Sequence, residues 1–185
     1  MKKRIFVCLT PPSVISRKIL DIARAGIPRG IGRIRFTPAD QLHITVLFLG
    51  AVERGISEAV SRQLGQVAET NAPVKLKLRD IITAPPGRPP TMLWAVFNDS
   101  DGFIKLAQQA RKALQPLVPA PAAGRPQYAH ITVARSRQLL PELLPIRIPE
   151  VIGDFRFDDL WLYESELSPR GAVYTPLAGY PLKGK

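Results

Sequence analysis

The sequence predicts an α+β fold built twice over, with two small, mostly antiparallel sheets flanking a central cleft and helices outside. Three observations predict it. The tetrapeptide His-Ile-Thr-Val occurs at 43–46 and again at 130–133. The chain has two histidines, and each opens one copy. Strand, helix, strand order recurs roughly twice along the chain, which fits a pseudo-duplicated pair of lobes rather than two unrelated units. One bilobal domain over residues 1–185 is therefore expected.

Each element has its own reason. Ile5-Phe6-Val7-Cys8-Leu9 is a short apolar run that reads as a strand, because Pro11-Pro12 follows too soon for a signal peptide. Ser13 is placed as the N-cap of a helix whose Val14, Ile15, Ile19 and Ile22 recur at helical spacing, ending at Gly26 and Pro28. Arg29 to Arg33 is a turn into a strand near 34–36. Pro38-Ala39-Asp40 then leads into the first His-x-Thr strand, which Gly50 is expected to end. Ile56, Ala59, Val60, Leu64 and Val67 mark a second helix over about 54–70.

Val74, Leu76 and Leu78 alternate with Lys75, Lys77 and Arg79, a half-buried strand with a basic outer face. Residues 84–90 hold four prolines and a glycine and read as a loop. A strand at 92–97 and a helix capped by Ser100 follow. A second Pro-rich loop at 116–126 leads into the second His-x-Thr strand. Leu139–Leu144 is placed as a short helix, interrupted by Pro141 and closed by Pro145, then strands at 151–157 and 159–167, and a Ser-Pro-Arg-Gly turn at 168–171 into a last strand over 172–177.

Composition narrows the chemistry. Hydrophobic residues make up 45% of the chain, enough for a core. A formal net charge of +11 attracts polyanions. The single cysteine, Cys8, excludes an internal disulfide, and its apolar strand makes it a small buried hydrophobe. One Cys and two His leave few soft ligands, so no metal and no cofactor are expected. With no long apolar run, neither is a membrane partner. The chain is expected to be cytoplasmic and monomeric.

Alternation along a strand puts His43 and Thr45 on one face, with Leu42, Ile44, Val46 and Phe48 on the other. The second copy likewise shows His130 and Thr132 together, against Ile131 and Val133. Two imidazoles facing one groove suit proton transfer near neutral pH: one takes a proton from a nucleophile, the other gives one to a leaving oxygen. The threonine hydroxyls suit hydrogen bonds to non-bridging phosphoryl oxygens. A strained cyclic phosphate opened by water is an economical reaction for this set. The residues themselves do not say which histidine is the acid.

The chain resembles the 2H phosphoesterases, specifically the RNA 2',3'-cyclic phosphodiesterase (2'-5' RNA ligase-like) branch. The likeness rests on both His-x-Thr-x motifs, on Phe48-Leu49-Gly50 and Ala134-Arg135 after them, on Leu93-Trp94, and on the tail through Leu160, Leu162, Ser165, Leu167, Gly171 and Tyr174. It implies a bilobal fold and metal-independent hydrolysis of a 2',3'-cyclic phosphate RNA end to a 2'-phosphate, with reverse 2'-5' ligation. It also implies His43 as proton donor, His130 as proton acceptor, and Thr45, Thr132 and Arg135 as substrate-binding residues. Val46 and Val133 stand where the family usually has Leu, a change expected to alter packing only.

Arg135 carries a condition. Strict alternation points it away from His130, and it reaches the groove only if the strand ends or bulges after Val133. Trp94 and Tyr128 are assigned to core packing rather than base stacking, and Arg88 and Arg125 to solvated loop charge. Two rival functions stay open beside RNA ends. One is a phosphodiesterase on small cyclic nucleotides such as a cyclic phosphate of ADP-ribose. The other is a nucleotide- or RNA-binding module without chemistry.

Overall fold

Two half-sheets meet at one pair of isoleucines in the computed structural model, which describes residues 2–28, 31, 34–118, 128–141, 143, 145–148, 154–168 and 171–184. The strands are β1 (Lys2–Leu9), β2 (Ile34–Phe36), β3 (Ile44–Glu53), β4 (Val74–Ala84), β5 (Met92–Phe97), β6 (His130–Ser136), β7 (Ile146–Arg147), β8 (Asp154–Phe157), β9 (Asp159–Ser168) and β10 (Gly171–Pro181). The helices are α1 (Ser13–Gly26), α2 (Ser57–Thr70) and α3 (Asp101–Leu114). The sheet order is β10-β9-β1-β3-β6-β5-β4-β7, with β2 added beside β6 and β8 beside β4, and neighbouring strands are antiparallel.

The two expected sheets are thus the halves of one sheet. Among the described residues they pair only where Ile44 of β3 meets Ile131 of β6, and both side chains are fully buried. Each half repeats the other: β1 leads into α1 and pairs with β3, and β5 leads into α3 and pairs with β6.

The helices bury one stripe each at i, i+3, i+4 spacing. Ile19, Leu20 and Ala23 do so on α1, Val60, Leu64, Val67 and Ala68 on α2, and Phe103, Leu106, Ala107, Ala110 and Leu114 on α3. They join Leu42, Ile44 and Val46 of the first motif and Ile131 and Val133 of the second in one core. The motifs' apolar backs are therefore what bolts them to the scaffold, leaving the polar faces outside it. Cys8 lies in the same interior, and burial pushes its thiol pKa far up. Among the described residues no helix is long and apolar enough to cross a membrane.

Four local expectations need correction. Ser13 is the first helical residue, not the cap: the Pro12 carbonyl accepts from the N–H groups of Ile15 and Ser16. Ser100, by contrast, does cap α3, its hydroxyl accepting from the Phe103 N–H. β3 does not stop at Gly50 but runs on to Glu53, passing through Gly50 at φ 76°, a conformation open to glycine. No helix forms over the described part of 139–144. Pro141 supplies no N–H and restricts the residue before it, and the Leu140 N–H donates instead to the Pro90 carbonyl at 2.8 Å. The last strand begins at Gly171 and extends to Pro181, beyond the expected range. Arg125 and the turn positions 169–170 lie outside the described residues.

Candidate active site

The seam between the half-sheets assembles the site. Antiparallel pairing of Ile44 with Ile131 sets the residue before one opposite the residue after the other. His43 is therefore placed beside Thr132, and Thr45 beside His130. The four polar side chains form a square about the seam, with the histidines on one diagonal and the threonines on the other. All four are half-buried, whereas Ile44 and Ile131 between them are fully buried.

The last residue of each motif is a β-bulge. On β3, Cys8 pairs with Thr45 but Val7 pairs with Leu47, so the register skips Val46. On β6, Trp94 pairs with Thr132 but Leu93 pairs with Ala134, so the register skips Val133. A bulge inserts one residue and resets which face the next side chains take. Two consecutive residues after each threonine are consequently buried: Val46 and Leu47, then Val133 and Ala134. The residues after those return to the histidine face. Arg135 is exposed there, and the condition set for it is met. Phe48, expected on the core face, is 38% exposed, and the Arg4 guanidinium lies 5.4 Å from its ring centroid. Thr37 holds the second bulge, its N–H donating to the Val133 carbonyl at 2.8 Å and its hydroxyl to the Thr132 carbonyl at 2.9 Å.

Both imidazoles are oriented by the same device. His43 Nδ1 lies 2.8 Å from the Gln41 carbonyl, and His130 Nδ1 lies 2.9 Å from the Tyr128 carbonyl. A carbonyl only accepts, so Nδ1–H donates in both rings and Nε2 is the nitrogen free to exchange protons. Burial lowers both histidine pKa values; the carbonyl bonds work the other way, and the Arg135 charge lowers both further. The His130 charge lowers His43 as well, as the smallest of these effects.

The rings differ in their walls. His130 stacks on Trp94, with centroids 3.9 Å apart and planes at 24°. His43 sits between Phe6, at 4.8 Å, and Tyr174, at 4.7 Å and nearly perpendicular. Gln41 reaches Tyr174 as well, because the Tyr174 N–H donates to its side-chain oxygen and its amide donates to the Tyr174 carbonyl. Trp94 and Tyr128 therefore do not do what the sequence suggested. Trp94 stacks on a histidine, and Tyr128 is 63% exposed, its carbonyl accepting from His130 Nδ1–H. Gln41 and Phe6 went unnoticed in the sequence; the only signal for Gln41 was its place two residues before a histidine.

A cavity of about 930 Å3 opens beside His43 and Thr132 and is also lined by Arg135. His130 and Thr45 form the other pair of the square, past Ile44 and Ile131, and lie outside that lining. Among the described residues no cluster of three or more His, Cys, Asp or Glu gathers that would hold a metal ion.

The profile of the 2'-5' RNA ligase superfamily matches residues 12–168. An RNA 2',3'-cyclic phosphodiesterase of Thermus thermophilus is 33% identical over 157 residues, covering 80% of this chain and 75% of the relative. One of Archaeoglobus fulgidus is 26% identical over 177 residues, covering 94% and 97%. Among solved structures, the Thermus thermophilus protein TT0787 superposes with a TM-score of 0.86 at 27% identity, covering 98% of this chain and 99% of that one. Escherichia coli LigT complexed with phosphate superposes with a TM-score of 0.74 at 25% identity, covering 97% of each.

Proposed function

The chain belongs to the 2'-5' RNA ligase superfamily, and from that premise we propose that it is a monomeric RNA 2',3'-cyclic phosphodiesterase, its two halves acting as one catalytic domain. The observation that carries the reading is the pair of imidazoles about the Ile44–Ile131 seam, each with Nδ1–H tied to a carbonyl and Nε2 free. Relatives bearing that activity's name, and a neighbour solved with phosphate, support it.

In the proposed reaction His130 Nε2 takes a proton from water as the oxygen attacks phosphorus. The bond from phosphorus to the ribose 3' oxygen breaks, and His43 Nε2–H protonates that oxygen. The product is a 2'-phosphate and a 3'-hydroxyl. Thr45 and Thr132 donate to non-bridging oxygens as negative charge builds, and Arg135 offsets the phosphate charge. With the 5'-hydroxyl of a second strand in place of water, the same groups join two ends: His130 takes the hydroxyl proton as its oxygen bonds to phosphorus, the bond to the 3' oxygen breaks, and His43 protonates that oxygen, leaving a 2'-5' phosphodiester.

An RNA oligonucleotide ending in 2',3'-cyclic phosphate tests this. The wild type is expected to yield a 2'-phosphate end in the presence of a chelator. His43→Ala and His130→Ala should each lose about 100-fold or more, the range of a positioned acid or base. Full activity in either variant, or complete loss on chelation, overturns the reading.

A further inference from the structure

The cavity beside His43 continues away from the seam, along β2 and the start of β10, where Arg35, Arg137 and residues 171–174 line it. The half-sheet of β3 differs from that of β6 at the matching place. The position that matches Arg135 there is Phe48, since each lies two residues past its bulge. The site is thus symmetric in its histidines and asymmetric in its surroundings.

The arginines of the arm are oddly placed for a surface of solvated charge. Arg35 and Arg135 are direct cross-strand partners in the β2–β6 pair, and like charges directly opposite destabilise a sheet. Among the described residues neither they nor Arg137 has an ion pair, although Asp40 also lines the cavity. Arg135 instead donates to the Met92 sulfur at 2.9 Å. Gly171, at φ 115°, makes room for Arg35: a Cβ there would stand 2.5 Å from the guanidinium nitrogen Nη1. A paired cationic face kept open beside a phosphate-handling centre is suited to a second anion.

We propose that this arm seats the RNA strand behind the cyclic end, with Arg35 and Arg137 holding the next phosphodiester, so that the enzyme selects strand ends over free cyclic nucleotides. The inference rests on the phosphodiesterase reading above. A cavity of about 930 Å3 lies at the upper end of the roughly 300–1,000 Å3 of small-ligand sites, which leaves space beyond one nucleotide. Guanidinium forks match phosphate oxygens bidentately, and the contact reads no base.

The test compares a 2',3'-cyclic mononucleotide with a short oligonucleotide ending in the same cyclic phosphate, on wild type and on Arg35→Ala/Arg137→Ala. In the double variant the oligonucleotide-to-mononucleotide ratio of kcat/KM should fall about tenfold or more, and the salt dependence for the oligonucleotide should flatten by about 0.7 in log–log slope per lost phosphate contact. An unchanged ratio and slope overturn the proposal, as does an equal loss on both substrates. Fluorescence anisotropy of a 2'-phosphate-ended RNA separates the two readings, because it needs no turnover. Weaker, less salt-sensitive binding in the double variant supports the arm even if the wild type cleaves neither substrate, whereas unaltered binding overturns it even if cleavage is robust.

Discussion

The indole of Trp94 lies face to face with the imidazole of His130, 3.9 Å between centroids. A cation over an indole face gains about 0.5–2 kcal/mol, and a histidine that takes a proton during reaction acquires that charge as the barrier is crossed. An interaction stronger in the transition state than before it raises the rate. His43 has no such stack, only the tilted Phe6 ring and the perpendicular Tyr174 ring. The asymmetry favours His130 as the proton acceptor.

The first prediction follows from that stack. Replacing Trp94 by Phe and by Leu should lower the His130 pKa in the order Trp, Phe, Leu, with the full span about one unit, since 1.36 kcal/mol is one unit. Activity should fall in the same order, by about tenfold at most for Leu. Ring-proton titration by NMR reads the first effect without turnover. A His130 pKa that rises on going from Phe to Leu would contradict it.

Arg135 gives a pH signature. Its charge lowers both histidine pKa values, so removing it raises both. The acceptor must be neutral and the donor protonated. Arg135→Ala should therefore shift both limbs of the kcat/KM profile to higher pH, with a lower maximum because the phosphate loses a partner. Arg135→Lys should keep the limbs near the wild-type positions while recovering only part of the maximum, because an ammonium lacks the guanidinium fork. A profile that keeps its limbs in Arg135→Ala would show that the arginine acts on substrate alone.

The motif was legible because a two-residue period and a repeated tetrapeptide are local signals. His43, Thr45, His130 and Thr132 needed only alternation to be put on polar faces. The fates of Phe48 and Arg135 needed more, because the bulges at Val46 and Val133 are set by partner strands and leave no composition mark of their own. The condition attached to Arg135 identified the right variable without fixing its value. Trp94 was hidden for another reason. It is half-buried in an apolar strand, and its stacking partner, His130, lies on the next strand of the sheet, far along the chain. The short helix expected at 139–144 around Pro141 shows the converse limit: no helix forms over its described residues, and the Leu140 N–H goes to the Pro90 carbonyl instead.

Gln41 binds both edges of Tyr174's backbone and offers its own carbonyl to His43. Gln41→Ala removes the first pair of contacts and keeps the second, since the carbonyl belongs to the main chain. The Tyr174 ring should then wander from His43, with activity falling about three- to tenfold, and each neutral hydrogen bond lost should cost about 1 kcal/mol of stability. Gln41→Glu keeps the acceptor for the Tyr174 N–H and loses the donor, so it should recover part of the loss at best. Amide exchange at Tyr174 checks the mechanism. Protection there that matches wild type in Gln41→Ala would mean that other β10 contacts hold the strand.

The seam itself is the last test, because the site exists only if the half-sheets keep their register. Ile44 and Ile131 are both fully buried and are each other's partner, so Ile44→Ala and Ile131→Ala should each cost about 2–5 kcal/mol in denaturant unfolding. Touching residues do not add: the double variant should differ from the sum by about 0.5–3 kcal/mol. Stability alone does not show that the seam sets the histidines, so the comparison needs a core residue elsewhere on the same strand. Val52 is 4% exposed near the far end of β3, opposite Lys3. Val52→Ala should lower stability while turnover per folded molecule stays near wild type. The milder Ile44→Val and Ile131→Val, costing about 0.5–1.5 kcal/mol, should lower turnover per folded molecule, because a gap at the seam lets one imidazole drift against the other. If the seam variants retained wild-type turnover once corrected for unfolded protein, the histidines would have to be held by their own walls, Trp94 on one side and Phe6 with Tyr174 on the other, and not by the joint between the sheets.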